Sequence, residues 1–191
     1  NGFYQLDGAA FTGVVADLLG NEYRTSHECN VEKYTVGLLH NAGLTLPVHI
    51  DVPMLNVANG MLDLESGTLK PHDPVYRSSM QIPIEWDEDA TCPNYEAWLA
   101  EIVGDQSDDL EEVTSTMLDP SRTPSKAVFL FGPARSGKGT WLRLMQSMVG
   151  VRNISAITLH QLVSDRFAAA NVFGKMLNVA ADLSSAHIED I

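Results

Sequence analysis

Apolar residues recur along this chain in two rhythms. Over residues 8–20, Phe11, Val14, Val15, Leu18 and Leu19 fall at three- and four-residue steps, the period of a helix with one apolar face, and Gly20-Asn21 ends the run. Asn30 is placed to cap a second helix carrying Lys33, Tyr34, Leu38 and Leu39, closed by Asn41-Ala42-Gly43. Residues 46–53 read as extended, since Pro47 and Pro53 disfavour a helix or an inner strand. The rhythm then shortens. Residues 54–58 predict a strand, Asn59-Gly60 a hairpin turn and 61–64 the partner strand, with a weaker alternation over 75–84.

The helical period returns after Pro93, with Thr91 as the expected cap and Tyr95, Trp98, Leu99, Ile102 and Val103 as the apolar positions. A more polar helix is predicted over 108–118, followed by a linker rich in turn residues, DPSRTPS at 119–125. Next comes an unbroken apolar run, 127–131, then GPARSGKGT at 132–140. Trp141, Leu142, Leu144, Met145, Met148 and Val149 follow at helical steps. Residues 152–158 predict a strand and 159–170 a helix anchored by Leu162, Val163 and Phe167. Residues 175–182 predict a short strand ending in Asp182. The fold class expected is α/β. A small mixed α/β domain, 1–121, precedes the N-terminal part of a P-loop domain, 122–191.

Charge sharpens that division. The 191 residues carry a net charge of −13, but residues 1–121 hold 21 acids and 4 bases whereas 122–191 hold 4 acids and 8 bases. Twelve of the acids lie between Glu85 and Asp119, in a stretch without Lys or Arg. The first module is therefore unsuited to gripping a phosphate backbone, and its charge reads as a solvated face. Cys29 and Cys92 have no partner spacing, and the six histidines are scattered, so neither a disulfide framework nor a zinc site is expected. No membrane-length apolar run or signal-peptide pattern is visible, so the expected location is the cytoplasm, without membrane attachment.

The stretch that carries chemistry is the loop. Strand, glycine-rich turn and helix is the setting of a phosphate cradle, and Gly132, Gly137 and Lys138 have the spacing G-x-x-x-x-G-K. Glycines let several backbone N–H groups face one anion, the helix N-terminus adds partial positive charge, and a lysine reaches the terminal phosphates. The expected nucleotide-binding residues are Gly132, Pro133, Ala134, Arg135, Ser136, Gly137, Lys138, Gly139 and Thr140. Arg135 reads equally as a phosphate contact, a contact to a neighbouring subunit or an exposed loop residue. Hydrolysis also needs a carboxylate at a strand tip, and Asp182 is the candidate, ahead of Glu189 and Asp190. The Tyr95/Trp98 pair reads as core packing rather than as a stacking platform, because no basic residue surrounds it.

Four segments together resemble the ATPase part of phage/plasmid-type primase–helicases of helicase superfamily 3. They are VANGMLDLESGTLKPHDP at 57–74, IPIEWDEDATCPNYEAWLAEIVGD at 82–105, VFLFGPARSGKGTWLRLMQSMVG at 128–150 and DRFAAANVFGKMLNVAADL at 165–183. The resemblance implies an AAA+-like ATPase preceded by a small domain, working as a homo-oligomeric ring, usually a hexamer. It implies ATP and Mg²⁺ as cofactors and DNA as partner, in a bacterial host carrying a phage, prophage or plasmid. Lys138 would correspond to the phosphate lysine and Asp182 to the second-motif acid, both catalytic, with Thr140 and Asp182 toward the magnesium.

The sequence departs from that pattern in places. Gly139 stands where a magnesium-binding hydroxyl is usual, and the hydroxyl follows at Thr140. Asp182 has no second acid beside it. The chain reads as a piece of something longer, lacking later sensor, arginine-finger and DNA-contacting elements, so weak nucleotide binding and little hydrolysis are expected of it alone. Two other readings stay open: a nucleotide or nucleoside kinase, suggested by the GKGT ending, and a non-enzymatic module whose acidic domain docks a partner.

Overall fold

A computed structural model describes residues 8–43, 52–121 and 127–180, and within these the chain is a mixed α/β protein with small sheets. By contacts it divides into two units, one over Tyr4–Pro47 and one from Val48 onward. The first unit is a helical pair. Helix α1 spans Gly8–Leu19 and α2 spans Thr25–Asn41. Helix α2 begins five residues before the expected cap, so Asn30 lies inside it. Arg24 is the extended residue at its start, and Glu28 places a carboxylate in the first turn, where the helix dipole favours it. Glu28 accepts hydrogen bonds from Thr12 of α1 and, at 3.0 Å, from the Tyr23 hydroxyl. Of the expected apolar stripe on α1, Val15 is fully buried whereas Val14 and Leu18 are exposed.

The second unit is built on an antiparallel sheet in the order β1-β2-β3, comprising Met54–Val57, Gly60–Asp63 and Leu69–Lys70. Every residue of β1 is buried, so both faces of this strand are covered. Leu55 and Val57 enter the main core, while Asn56 on the other face accepts a hydrogen bond from Gln81 at 3.0 Å and lies 3.1 Å from His72. The hairpin turn is one residue earlier than expected. Val57 pairs with Gly60, which leaves Ala58 and Asn59 as the turn. Gly60 is required for close approach rather than for backbone twist: a Cβ there would stand 2.5 Å from the Lys70 carbonyl oxygen.

The strand expected over 75–84 does not form. Asp73 accepts from the Val75 N–H and starts a single 3₁₀ turn, Pro74–Tyr76, and Arg77 then takes a left-handed conformation, φ 48°. Beyond it the chain runs beside β1, with Ile82 N–H donating to the Asn56 carbonyl and Ala58 N–H to the Ile84 carbonyl. Pro83, between them, has no N–H to extend the ladder.

Helix α3 spans Pro93–Val103, α4 Ser107–Leu118 and α5 Lys138–Val149. Proline takes the first position of α3, but Cys92 rather than Thr91 is its capping residue, and no side-chain bond is made there. Strand β4, Ile154–Ser155, pairs in parallel with β5, Leu177–Asn178. Both are shorter than the strands expected over 152–158 and 175–182. The helix expected over 159–170 is two: α6, Leu159–Ser164, opened by a Thr158–Gln161 capping box, and α7, Ala168–Val172. The Asp165 carboxylate accepts from the Phe167 N–H and closes a turn between them, which leaves Phe167 exposed instead of anchoring.

The core joins the two halves of the sequence. Leu55, Val57, Leu62 and Ile82 bury against Val149 at the end of α5, ringed by partly buried residues that include Met117, Leu118, Ile154 and Leu177. The charge boundary at 121/122 therefore does not separate two cores, and the linker residues 122–126 lie outside the described residues. Among the described residues no helix is long and apolar enough to cross a membrane.

Candidate functional site

The loop and α5 form as the pattern predicts, but the run before them does not. Residues 127–131 make no strand, and Phe131 is 93% exposed, Val128 54% and Phe129 53%. They have no hydrogen-bonded neighbour strand among the described residues, and an apolar run without an edge to pair with stays a single extended thread.

The turn itself is specified residue by residue. Gly137 opens α5 with a left-handed backbone, φ 86°, where glycine has no steric penalty. Arg135 also lies in the left-handed region, φ 65°. A Cβ on Gly132 would meet Ser136 Oγ at 3.0 Å, so the loop is closed on itself at that point. Lys138 folds back across it, its Nζ donating to the carbonyls of Gly132 and Pro133 at 2.8 Å each and to Ser136 Oγ at 3.1 Å. The Thr140 and Trp141 N–H groups donate to the Gly137 carbonyl, while the N–H groups of Lys138 and Gly139, in the first turn of α5, precede the intrahelical ladder.

Around this loop lies an open cleft of about 500 Å³, bounded by Arg135, Ser136, Gly137, Lys138, Gly139 and Thr140, by Arg143 one turn further along α5, and by Trp98 and Ile102 of α3. The α3 wall touches the loop closely: a Cβ on Gly137 would stand 3.1 Å from Ile102 Cδ1 and 3.4 Å from Trp98 Cζ2. Tyr95 stacks obliquely behind Trp98, ring centroids 6.1 Å apart. Burial, reinforced by the Glu111 carboxylate and opposed by the Trp141 indole, pushes the Tyr95 phenol up. Leu99, the residue after Trp98 on α3, is the one of that helix that is buried. Trp98 is thus half-buried at the cleft, not core as expected.

The cleft is cationic within an acidic protein. Arg135, Lys138 and Arg143 make no ion pair among the described residues, unlike Lys70, which pairs with Asp63. The sequence pattern identified the loop residues but not Arg143, Trp98 and Ile102. For Arg143 a signal existed, since residues three and four apart share a helix face and Arg143 stands so to Thr140 and Gly139. For the two α3 residues the meeting of helix and loop is tertiary, and local periodicity does not encode it.

Asp182 lies outside the described residues, as do Glu189 and Asp190. The described cleft lining brings two hydroxyls, Ser136 and Thr140, and no carboxylate, and no group of His, Cys, Asp and Glu suited to a metal occurs among the described residues. The residues described do not by themselves fit a Mg²⁺ site. Cys29 and Cys92 are free and exposed.

Two family models match the chain. Residues 47–104 match a family described as D5 N terminal like, and residues 130–190 match a family of unknown function, DUF5906. The first match supports the resemblance to phage/plasmid primase–helicase-like proteins over that stretch and associates it with their role in replication. A search among curated proteins finds no match.

Proposed function

We propose that this chain is the ATP-binding part of a replicative primase–helicase of the phage/plasmid type, coupling ATP hydrolysis to DNA unwinding. The observation that carries this reading is the loop: a left-handed Gly137 at the start of a twelve-residue helix, with the Lys138 ammonium at the mouth of the turn. A triphosphate entering the cleft would take the first-turn N–H groups of α5 and draw the Lys138 ammonium away from the Gly132 and Pro133 carbonyls onto its terminal oxygens. Those carbonyls are solvent-facing and lose little by the exchange. Trp98 and Ile102 offer the apolar wall for the less charged end of the ligand.

Magnesium would enter with the polyphosphate, with Thr140 and Asp182 as the proposed protein contacts. ATP supplies the phosphoanhydride bond whose cleavage drives the motor, and the chain's own part is to hold the phosphates and exclude competing charge. A ring assembly and DNA contacts belong to the same proposal. The test is ATPase activity of the natural full-length protein, with and without single-stranded DNA, beside Lys138→Ala. DNA-stimulated turnover that disappears in the variant is the expected result. Phosphoryl transfer to a nucleoside monophosphate would replace the helicase with a kinase, and no nucleotide turnover or binding in any condition would leave a docking module.

A further inference from the structure

We propose that Arg143 is a phosphate-binding residue of the cleft, reaching the ligand across the space that Gly139 leaves open. The inference rests on the nucleotide-binding reading above and deepens it.

Three observations converge. Arg143 lies on α5 one turn after Gly139, and its Nη1 is 3.5 Å from where a Cβ at position 139 would stand. The guanidinium therefore covers the position at which loops of this kind usually present a magnesium-binding hydroxyl. Its Nη2 donates to Thr140 Oγ1 at 3.2 Å, so that hydroxyl is already engaged by the arginine. Neither Arg143 nor Lys138 nor Arg135 has a carboxylate partner among the described residues, although the protein carries more than twice as many acids as bases.

A guanidinium has five N–H donors in a rigid fork, and the bond to Thr140 uses one. Arg143 helps to line the cleft. A fork of this kind holds two phosphate oxygens at once, which a lysine cannot do. Side chains on the described part of the cleft supply no carboxylate to fix a divalent cation, so a fixed positive charge at this point does part of the neutralising that a metal-bound hydroxyl would otherwise organise. The absence of a hydroxyl at 139 and the presence at 143 of an arginine without a carboxylate partner among the described residues are then one arrangement: the guanidinium lies against the space where a side chain at 139 would stand.

The experiment is calorimetric titration of the chain with ADP and with inorganic tripolyphosphate, in EDTA and in excess Mg²⁺. The variants are Arg143→Gln, Arg143→Lys, Gly139→Ser and Lys138→Ala, with a thermal melt of each. Arg143→Gln should lose about tenfold in affinity for both probes in EDTA, and less in Mg²⁺. Arg143→Lys should recover part of the loss, and Gly139→Ser should make binding more dependent on Mg²⁺ while the melting temperature holds. If Lys138→Ala abolishes binding but Arg143→Gln stays within about twofold of the parent, the loop reading stands and the Arg143 proposal is overturned. An equal loss in EDTA and Mg²⁺, or a loss that follows a lowered melting temperature, also overturns it by marking a structural tether. If the unaltered chain binds neither probe, the nucleotide reading fails, and this proposal fails with it.

Discussion

Two apolar runs in this chain look alike on paper and differ in space. Met54–Val57 is buried at every position, paired along its length with Gly60–Asp63 and capped by a ring of core residues. The run at 127–131 is no less apolar, yet Phe131 is 93% exposed and the run pairs with nothing among the described residues. Hydrophobicity nominates a strand, but a neighbouring edge makes one. The hairpin brings its own edge through a two-residue turn, whereas the run at 127–131 would need an edge supplied from elsewhere in the fold.

The contrast breaks most visibly under mutation. Leu55→Ala should destabilise the fold by about 3 kcal/mol, because it removes packed volume from a core with little room to relax. Phe131→Ser should stay within about 0.5 kcal/mol. Urea unfolding of both variants checks the pair, and a cost of similar size at Phe131 would show that the run is packed in solution. Hydrogen exchange gives the same comparison without mutation, with slow amides in β1 and β2 and fast ones over 128–131.

Gly60→Ala should cost roughly 1–3 kcal/mol, since the new methyl collides with the Lys70 carbonyl of β3, which cannot turn aside, as well as with the Leu69 side chain. A neutral result would mean that β3 is not held against β2 as closely as the Lys70 carbonyl indicates. Asn59→Ala should cost about 1 kcal/mol. Its side-chain amide donates to the Trp86 carbonyl and accepts from the Trp86 N–H, both at 2.9 Å, and ties the hairpin tip to the chain that passes beside it. An unchanged denaturation midpoint would remove that tie from the account.

The smallest effect is set by pH. The Lys70 ammonium, donating at 2.9 Å, and the Ser66 and Glu65 N–H groups hold the Asp63 carboxyl at about 2, below its ordinary value of 3.8. A carboxyl depressed in the folded state stabilises the fold fully above its unfolded value. That contribution disappears as pH falls from about 4 toward about 2. Asp63→Asn should flatten the acid limb of the stability curve in that window, and a limb of unchanged slope would count against the pairing.

Much of the architecture was legible from local pattern. The positions of α1, α4 and α5, the proline at the start of α3 and the hairpin all follow from periodicity and from Gly or Pro at the ends. What escaped was whatever depends on a partner. The Asn-Gly pair signalled a turn, but the glycine is there because β3 crosses close behind it. The helix over 159–170 has no Gly or Pro to mark its interruption, which comes from Asp165 bonding locally to the Phe167 N–H. In the candidate site the loop was legible because its backbone geometry is written in residue types. The Trp98–Ile102 wall was not, since nothing within α3 says which of its faces meets the loop.

The end of α5 sets a limit on how such proteins can be recombined. Gly150 leaves the helix with φ 77°, and a Cβ there would stand 2.8 Å from Pro83 Cδ; Asn153 donates to the Gln81 carbonyl at 2.8 Å and to the Val149 carbonyl at 2.6 Å. These contacts form a seam that adds a close polar and backbone fit to the shared core joining the stretch at 47–104 to the stretch at 130–190. A chimera that takes one stretch from this chain and the other from a relative inherits the seam only if both donors keep a glycine after the helix, an asparagine three residues on and a proline opposite. Otherwise each half would arrive with a correct loop or a correct hairpin and no matching surface, so the two stretches exchange as a pair and not as separate cassettes.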